Sequence, residues 1–366
     1  MNMSCKQENL AVETLVVPGN INIDIASAKA GDERRLMLSD NPETLTQEIL
    51  TEPFSTLWHD VVVTSKRSMK HRIFGWHYNR TGAPVRIGVT IENKDEEQIE
   101  VRHIERDLKL SPSTGHWIID VGQCLAKSCV GGTLDRIKPV DPYKFGKRVS
   151  LIEEFIVEDD VLAGFIYEFT VEHASGKGGQ NYEIRTVVSK VEDKDLREIT
   201  STPIAPRPAP QAHPRGSWTF SETDATTPVY RVGQSANYRT CAGTKLTGEL
   251  PADLLFTADS STLPASMTNR GQFGAVYQVN IPILNESSRE AVVRIRVNPR
   301  GGAFAGAAFI DGKTYGIPLL RNNTQTSPIA DVTVPPGAST YSFKYMTAGS
   351  ASTPLGIYVT TLTQEV

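Results

Sequence analysis

The side chains best suited to metal binding or proton transfer are seven histidines, and their spacing predicts no metal site. His71 and His77 fall on the same face of one expected strand, since side chains an even number of residues apart share a face. Neither has an acidic or cysteine neighbour at ligand spacing, and the chain has no His-x-His pair of the kind that suits copper. We therefore expect ordinary half-buried histidines, no metal ligand and no cofactor. All seven precede residue 214: His59, His71, His77, His103, His116, His173 and His213.

Two groups of carboxylates could support acid–base chemistry, and both fit a structural role better. Glycoside hydrolysis needs two carboxyl groups roughly 5 to 9 Å apart. Glu153 and Glu154 are adjacent on an expected strand, so they point to opposite faces, which argues against joint action. The run 158–160 fits a turn between strands, with a weak calcium site as the alternative. A glycosidase-type enzyme is therefore our third hypothesis, and no catalytic residue is assigned.

Four cysteines offer cross-linking chemistry: Cys5, Cys124, Cys129 and Cys241. Four cysteines in 366 residues are too few for a disulfide scaffold, and no Cys-x-x-Cys pair indicates a zinc ribbon or a redox motif. Cys124 and Cys129 could close a small loop through a disulfide. Cys5 lies in a polar N-terminal arm, where it is either an exposed free thiol or one half of an intermolecular disulfide.

These residues belong to a chain that composition divides into two parts. The 38 basic and 42 acidic side chains give a net charge of −4, without the basic surplus of a nucleic-acid-binding protein. Its apolar runs are too short to span a membrane. A proline-rich run at 202–214 predicts an extended, semi-rigid linker. Residues 1–216 carry 27 basic and 32 acidic side chains, whereas residues 217–366 carry 11 and 10 and are rich in Ser and Thr.

Both parts have the alternating pattern of β-strands. Apolar side chains alternate along 85–92 and again along 98–104, which predicts a hairpin, and the segments 149–157 and 161–171 predict a second hairpin around the turn at 158–160. Six comparable segments follow residue 274, and Asp311–Gly312 is a two-residue hairpin signal after one of them. A partial 3.6-residue period predicts one short helix near residues 113–128. We predict a mostly β chain with two antiparallel β-sandwich or jelly-roll domains. The predicted boundaries are an N-terminal arm at 1–14, a first domain at 15–201 that contains the helix, a linker at 202–216 and a second domain at 217–366.

Four segments carry a family resemblance: 38–43, 85–94, 215–220 and 298–313. Their order and spacing resemble a family of Bacillus- and Paenibacillus-type envelope or secreted β-sandwich proteins, whose members often carry an attached copper-amine-oxidase N-terminal-like module. The resemblance covers roughly residues 35–365. It implies a structural role at the cell surface or outside the cell, and no activity. Members normally begin with a signal peptide, and the first residues of this numbering have no such pattern.

The function we expect is that of a non-catalytic structural subunit that self-assembles into a fibre or layer. The location would be extracellular, at a cell or spore surface, and the partner would be another copy of the chain. The arm would dock on the neighbouring copy by strand addition, with Cys5 as the cross-link and Leu10, Val12 and Leu15 as docking residues. The alternative is a surface protein that binds carbohydrate or cell wall through aromatic side chains of the second domain. They are Tyr315, Tyr341, Tyr345 and Tyr358.

Overall fold

The computed structural model describes residues 5, 8–25, 28–31, 33–208, 213–240, 269 and 271–364, and these residues confirm the predicted mostly β class. The strands of the N-terminal half are β1 (Glu13–Thr14), β2 (Asn22–Asp24), β3 (Ala28–Ala30), β4 (Arg35–Ser39), β5 (Thr44–Thr46), β6 (Phe54–Thr64), β7 (Ser68–Arg80), β8 (Val85–Asn93), β9 (Ile99–Pro112), β10 (Asp135–Arg136), β11 (Lys144–Phe145), β12 (Val149–Val157), β13 (Val161–His173) and β14 (Gln180–Ser189).

The C-terminal half contributes eleven more strands to the described fold. They are β15 (Arg215–Trp218), β16 (Glu222–Thr226), β17 (Tyr230–Arg231), β18 (Ser235–Thr240), β19 (Val276–Asn285), β20 (Ala291–Pro299), β21 (Phe304–Ile310), β22 (Lys313–Leu320), β23 (Gln325–Val334), β24 (Gly337–Thr347) and β25 (Leu355–Gln364). A π-helical turn at Ile118–Gln123 leads into the helix α1 (Cys124–Val130), and short 3₁₀ turns lie at Gly19–Ile21 and Leu196–Glu198.

The N-terminal sandwich packs an eight-stranded sheet against a four-stranded one. The first has the order β10-β9-β13-β7-β4-β15, with β11 on β9 and β5 on β7, and the second has the order β12-β8-β14-β6. Inward side chains from both sheets form one core, which includes Trp58, Ile87 and Phe165. Gly75 is required in β7, because a Cβ there would lie 1.9 Å from the Phe165 ring.

The strands of this sandwich pair differently from the sequence expectation. The segments at 85–92 and 98–104 are strands, but β8 lies in the four-stranded sheet and β9 in the eight-stranded sheet. The pair β12 and β13 is divided in the same way. Both were expected to be hairpins, and that expectation is wrong. Alternation shows that one face of a strand is buried, but it does not identify the neighbouring strand.

The C-terminal sandwich packs a seven-stranded sheet, of order β22-β21-β24-β19-β16-β3 with β17 on β19, against a six-stranded sheet, of order β1-β23-β20-β25-β18-β2. All six expected strand segments after residue 274 are strands. Asp311 and Gly312 both have positive φ and join β21 to β22 as a two-residue hairpin. The core includes Val279, Ile295 and Tyr345.

The first described residues belong to the C-terminal sandwich. We call residues 8–25 and 28–31 the N-terminal belt. Its strand β1 pairs with β23, β2 pairs with β18, and β3 pairs with β16. The predicted first domain began at residue 15, but the belt pairs with strands that follow residue 221. The pairing partners are more than 190 residues away, so no local pattern reports them.

A third core joins the two sandwiches. Trp76 of β7 and Leu125 of α1 lie in one buried cluster with Trp218 and Met346. The close approach needs glycine, since a Cβ on Gly122 would lie 2.6 Å from the backbone nitrogen of Gly349. The helix therefore fills the junction between the sandwiches. The π-helical turn that leads into α1 begins at Ile118, later than the predicted 113, because residues 112–115 form a turn in which the Ser113 N–H donates to the Asp160 carbonyl.

The predicted linker is extended, but it is not a free spacer. The Ile204 N–H donates to the Thr56 carbonyl of β6 (3.0 Å), and Pro203 forms a bridge to the same residue. The predicted linker end at 216 lies inside β15, which pairs with β4. The described part of the proline-rich run therefore packs along the N-terminal sandwich.

Candidate functional site

The first segment of the N-terminal belt docks on β22, an edge strand of the seven-stranded sheet. The Leu10 N–H donates to the Gly316 carbonyl (2.9 Å), and the Gly316 N–H donates back to the Glu8 carbonyl (2.9 Å). The Lys127 ammonium donates to Asn9 Oδ1 (2.9 Å) and ties the same segment to α1. A sheet edge presents unpaired main-chain groups, and the belt satisfies some of those on β22.

The next segment, β1, adds a strand to β23 in the six-stranded sheet. Glu13 pairs with Thr326 in antiparallel register, and the Leu15 N–H donates to the Thr324 carbonyl (2.9 Å). The Glu13 carboxylate lies 2.7 Å from Nε of Arg296. Residues 8–15 therefore bridge the edges of both sheets of the C-terminal sandwich.

The apolar residues predicted to dock have unequal roles in this contact. Leu10 is half-buried and packs against the core of the C-terminal sandwich. Leu15 is half-buried, whereas Val12 is 47% exposed. In this structure the segment docks on its own chain, while the sequence-based hypothesis placed it on a neighbouring copy.

The observed cysteine pairing was not among the predicted ones, which left Cys5 free or bonded to another copy and Cys124 bonded to Cys129. Cys5 forms a disulfide with Cys124 of the same chain, with Cα atoms 5.4 Å apart, and Cys129 is free and buried. The possible bond between Cys124 and Cys129 is not formed, because both lie on α1 five residues apart, where their Cβ atoms diverge. Burial raises the pKa of the Cys129 thiol to about 12. Cys241 lies outside the described residues.

The belt then crosses the six-stranded sheet from one edge to the other. Thr14 ends β1 beside β23, and Asn22 begins β2 beside β18 at the opposite edge. On the way, Val17 is buried and its carbonyl accepts a hydrogen bond from Arg300 (3.0 Å). The next residues, 18–20, are exposed. The belt is thus anchored on both sides of an exposed turn.

A second group of chemically capable side chains consists of Asp40, Glu43 and His213, whose ligand atoms all lie within 4.8 Å of one another. Asp40 and Glu43 lie in the turn between β4 and β5, which contains a cis Asn41–Pro42 bond. His213 immediately precedes β15. Because β15 runs antiparallel to β4, with Arg215 opposite Ser39, the residues before 215 lie beside the residues after 39.

The backbone around this group is held by several hydrogen bonds. The Asn41 amide group donates to the carbonyls of Arg207 (3.1 Å) and His213 (3.0 Å), and its oxygen accepts from the Arg207 N–H (2.7 Å). Arg215 donates to the Asn41 carbonyl (3.0 Å). Nδ1 of His77 lies 2.9 Å from the Pro42 carbonyl oxygen. The turn and the end of the proline-rich run are therefore fixed relative to each other.

Asp40 is the electrostatically unusual member of the group. Its side chain is buried, and Oδ1 has no hydrogen-bond partner. Burial, with a further contribution from the neighbouring Glu43, raises the pKa of Asp40 well above its ordinary value. His213 Nδ1 lies 2.6 Å from Glu43 Oε2 and 3.9 Å from Asp40 Oδ2. Sequence reasoning missed the group, since His213 is far from the other two in the chain.

His71 and His77, the histidines predicted to share a strand face, are both fully buried on β7. His71 Nε2 lies 2.6 Å from the Tyr182 hydroxyl, and its Nδ1 lies 3.9 Å from Asp60. His77 Nε2 lies 3.0 Å from Ser39 Oγ. Neither imidazole belongs to a group of three metal-ligand side chains in the described parts of the chain.

A buried ionic network crosses the junction between the sandwiches. The Arg72 guanidinium donates to Glu168 (2.7 Å) in the N-terminal sandwich. It also donates to the carbonyls of Ser221 (3.2 Å) and Gly274 (3.1 Å), which precede β16 and β19. Removing one partner of a buried pair is costly because it leaves an uncompensated charge. Arg72 therefore joins the two sandwiches, in addition to the apolar cluster at the same junction.

The acidic pairs considered for catalysis make structural contacts. Glu153 accepts from the Tyr167 hydroxyl (2.7 Å), and Glu154 pairs with Arg86. In the turn at 158–160, the Asp160 carboxylate accepts hydrogen bonds from side chains of neighbouring segments. These contacts give the acidic side chains a structural role, so no catalytic role is needed to explain their presence.

The aromatic residues considered for carbohydrate binding are mostly in the core. Tyr345 is fully buried, and Tyr315 and Tyr341 pack against the core of the C-terminal sandwich. A stacking platform for sugars needs exposed ring faces. Three of the four tryptophans are also fully buried: Trp58, Trp76 and Trp218.

Comparisons with known proteins identify no family for the chain. No family model and no curated protein matches it. A multicopper oxidase from Campylobacter jejuni is 10% identical, with 80% of this chain and 53% of that chain covered and a TM-score of 0.12. A CBM22 tandem domain from Paenibacillus barcinonensis Xyn10C is 11% identical, covers 92% and 99%, and has a TM-score of 0.14.

An 11S allergen from Cocos nucifera is 10% identical, with 82% and 90% covered and a TM-score of 0.14. Scores this low support no argument about function. The chain spans about half the length of the multicopper oxidase that it matches. None of the helices in the described ranges has the length and apolar character needed to cross a membrane. The resemblance to envelope proteins stays a prediction.

Proposed function

We propose that this chain is a non-catalytic structural subunit that assembles with other copies of itself by exchange of the N-terminal belt. The assembly would be a fibre or layer outside the cell, at a cell or spore surface, as the family resemblance implies. One observation carries the proposal: residues 8–15 pair through main-chain hydrogen bonds with two sheet edges, supported by the packing of Leu10 and by side-chain contacts of Asn9 and Glu13. The same main-chain contacts form equally well when the belt comes from a second copy.

The length of the connection between β1 and β2 supports exchange. The two strands lie five interstrand spacings apart, and at about 4.8 Å each the distance is about 24 Å. The eight steps from Thr14 to Asn22 span about 27 Å at full extension. The 3₁₀ turn at Gly19–Ile21 shortens this reach. A short, stretched connection favours exchange between copies over closure on the same chain.

The exposed turn at residues 18–20 is the hinge that this proposal requires. In the closed form the chain turns there towards its own β18. In the exchanged form the hinge would open and carry residues 8–15 to the β22 and β23 edges of a neighbour. The hinge is then the single segment whose conformation differs between the two forms.

A change in hinge length tests the proposal. Deletion of residues 18–20 leaves five steps, which span about 17 Å and cannot bridge the sheet. The belt of this variant can dock only on another copy. We expect size-exclusion chromatography with light scattering to show association of the wild type that rises with concentration, and stronger association of the deletion variant.

The matched control inserts Gly-Ser-Gly after Gly19, which relaxes the connection and favours the closed monomer. If the wild type and the deletion variant are both monomers at every concentration, the proposal is wrong. Equal association of the deletion and insertion variants would also contradict it, because assembly would then not depend on the hinge.

A further inference from the structure

We propose that Asp40, Glu43 and His213 form a binding site for a divalent transition-metal cation of the Zn²⁺ or Mn²⁺ class. Each side chain offers one ligand atom, and these atoms lie within 4.8 Å of one another. No other group of three or more such side chains is found in the described parts of the chain. The inference is independent of assembly through the belt.

The separations of the ligand atoms suit a cation of this size. A cation about 2.0 to 2.2 Å from each of its ligands holds those ligand atoms about 3.3 Å apart. His213 Nδ1 is 2.6 Å from Glu43 Oε2 and 3.9 Å from Asp40 Oδ2, so the separations bracket this value. Small side-chain rotations would therefore complete the geometry.

The buried oxygen of Asp40 is the independent observation that points to a ligand. Asp40 is 4% exposed, and its Oδ1 has no hydrogen-bond partner. Buried polar atoms without a partner are rare, because each costs desolvation free energy without compensation. Within the described residues, His213 is the basic side chain that pairs with Asp40 and Glu43. A cation that Asp40 binds through both of its carboxylate oxygens would give Oδ1 a partner and neutralise the repulsion between Asp40 and Glu43.

The donor set selects the class of cation. Two carboxylates and one imidazole are suited to Zn²⁺ or Mn²⁺, whereas Ca²⁺ takes six to eight oxygen ligands. The side chain of His213 is 38% exposed, so water can reach the site and fill the remaining coordination positions. The bound cation would fasten the end of the proline-rich run to the turn after β4.

Isothermal titration calorimetry with Zn²⁺, and separately with Mn²⁺, on the oxidised, EDTA-treated full chain tests the site. We expect one equivalent of at least one of the two cations to bind. His213→Ala and Asp40→Asn should each weaken this binding at least tenfold. His116→Ala should not change it, because His116 is an exposed histidine outside the group.

Thermal unfolding supplies a second readout that separates metal binding from a purely structural role. The cation should raise the Tm of the wild type and of His116→Ala, because binding to the folded state alone stabilises it. Asp40→Asn removes a buried charge, so its metal-free Tm should equal or exceed that of the wild type while its response to the cation is lost. Absence of binding for both cations would overturn the proposal, as would unchanged binding in Asp40→Asn and His213→Ala.

Discussion

Two buried histidines of β7 link the stability of the fold to pH. Burial lowers the pKa of His77 to about 4, and burial, followed by the charges of Arg35 and Arg34, lowers the pKa of His71 well below its ordinary value. The unfolded chain binds a proton on each histidine near pH 6.5. Between about pH 6.5 and pH 4 the unfolded state therefore holds more protons than the folded state.

We predict that the contribution of these two histidines to the free energy of unfolding is fully present above pH 6.5 and falls as the pH is lowered through this window, whereas Asp40, whose pKa is raised, contributes in the opposite direction. Each histidine contributes a limiting slope of about 1.4 kcal/mol per pH unit. Urea unfolding at pH 7, 6 and 5 should show a smaller slope for His77→Gln than for the wild type. The exposed His116→Gln is the control, and equal slopes for all three proteins would refute this account.

The sequence predicts that these two histidines share a strand face, but it predicts neither their full burial nor the group formed by Asp40, Glu43 and His213. His71 and His77 share a strand, so alternation places both on one face. His213 reaches Asp40 only because β15 pairs with β4, and that pairing joins residues more than 170 positions apart. Nothing in the local pattern of either segment reports it. Predicting the group requires knowledge of the sheet order.

At the scale of elements, the contact between the belt and β22 includes two main-chain hydrogen bonds to Gly316 and the packing of one apolar side chain, Leu10. Leu10→Ala removes only the packing, whereas Leu10→Pro also removes the N–H that donates to Gly316. We expect Leu10→Pro to lower the free energy of unfolding by about 1 kcal/mol more than Leu10→Ala. Amide exchange of Gly316, whose N–H donates to Glu8, should also quicken more in the proline variant.

The exposed Val12→Ala should leave both measurements close to those of the wild type, and it serves as the control. If Leu10→Pro and Leu10→Ala were equivalent, the belt would be held by side-chain packing alone. Strand addition would then not be the main docking contact.

The strands themselves are largely predictable from sequence, and their partners are not. The segments β8 and β9 alternate as expected, but they belong to different sheets. The hairpin at Asp311 and Gly312 was found because its turn signal is local. The short edge strands β1, β2 and β3 have only two or three residues, too few for a periodic pattern.

At the scale of the whole molecule, the shared core predicts that the two sandwiches unfold together. Trp76 and Leu125 pack in one cluster with Trp218 and Met346, and Arg72 pairs across the same junction. We therefore expect a single calorimetric transition. Separate domains on a flexible linker would give two.

A substitution at the junction sharpens this prediction. Gly349→Val should lower the single Tm by several degrees, because a Cβ at this position would lie 2.3 Å from the Trp76 ring. Gly146→Val is the control for introducing valine in place of glycine, because a Cβ at Gly146 meets no atom within 4 Å and its φ is not positive, so its Tm should stay close to that of the wild type. Two transitions, of which Gly349→Val shifts only one, would contradict a shared core.

The two halves of the sequence differ in charge, but the boundary between them does not separate the two sandwiches. Residues 8–25 and 28–31 lie in the acidic half of the sequence and complete the sheets of the other half. Composition averages over long windows, whereas a belt of a few short strands contributes little to such an average. The belt is found only when the long-range pairings are known.

The most direct test of assembly by belt exchange uses two variants that cannot form the bond between Cys5 and Cys124 within one chain. A tagged Cys124→Ser chain and an untagged Cys5→Ser chain are refolded together under oxidising conditions, trapped with an alkylating agent and separated by non-reducing electrophoresis. The account predicts a heterodimer linked by a disulfide between Cys5 of the first chain and Cys124 of the second. The heterodimer should be absent when either variant is refolded alone. If the mixture contains only monomers, while the wild type forms its intrachain disulfide, the belt does not exchange and the account is contradicted.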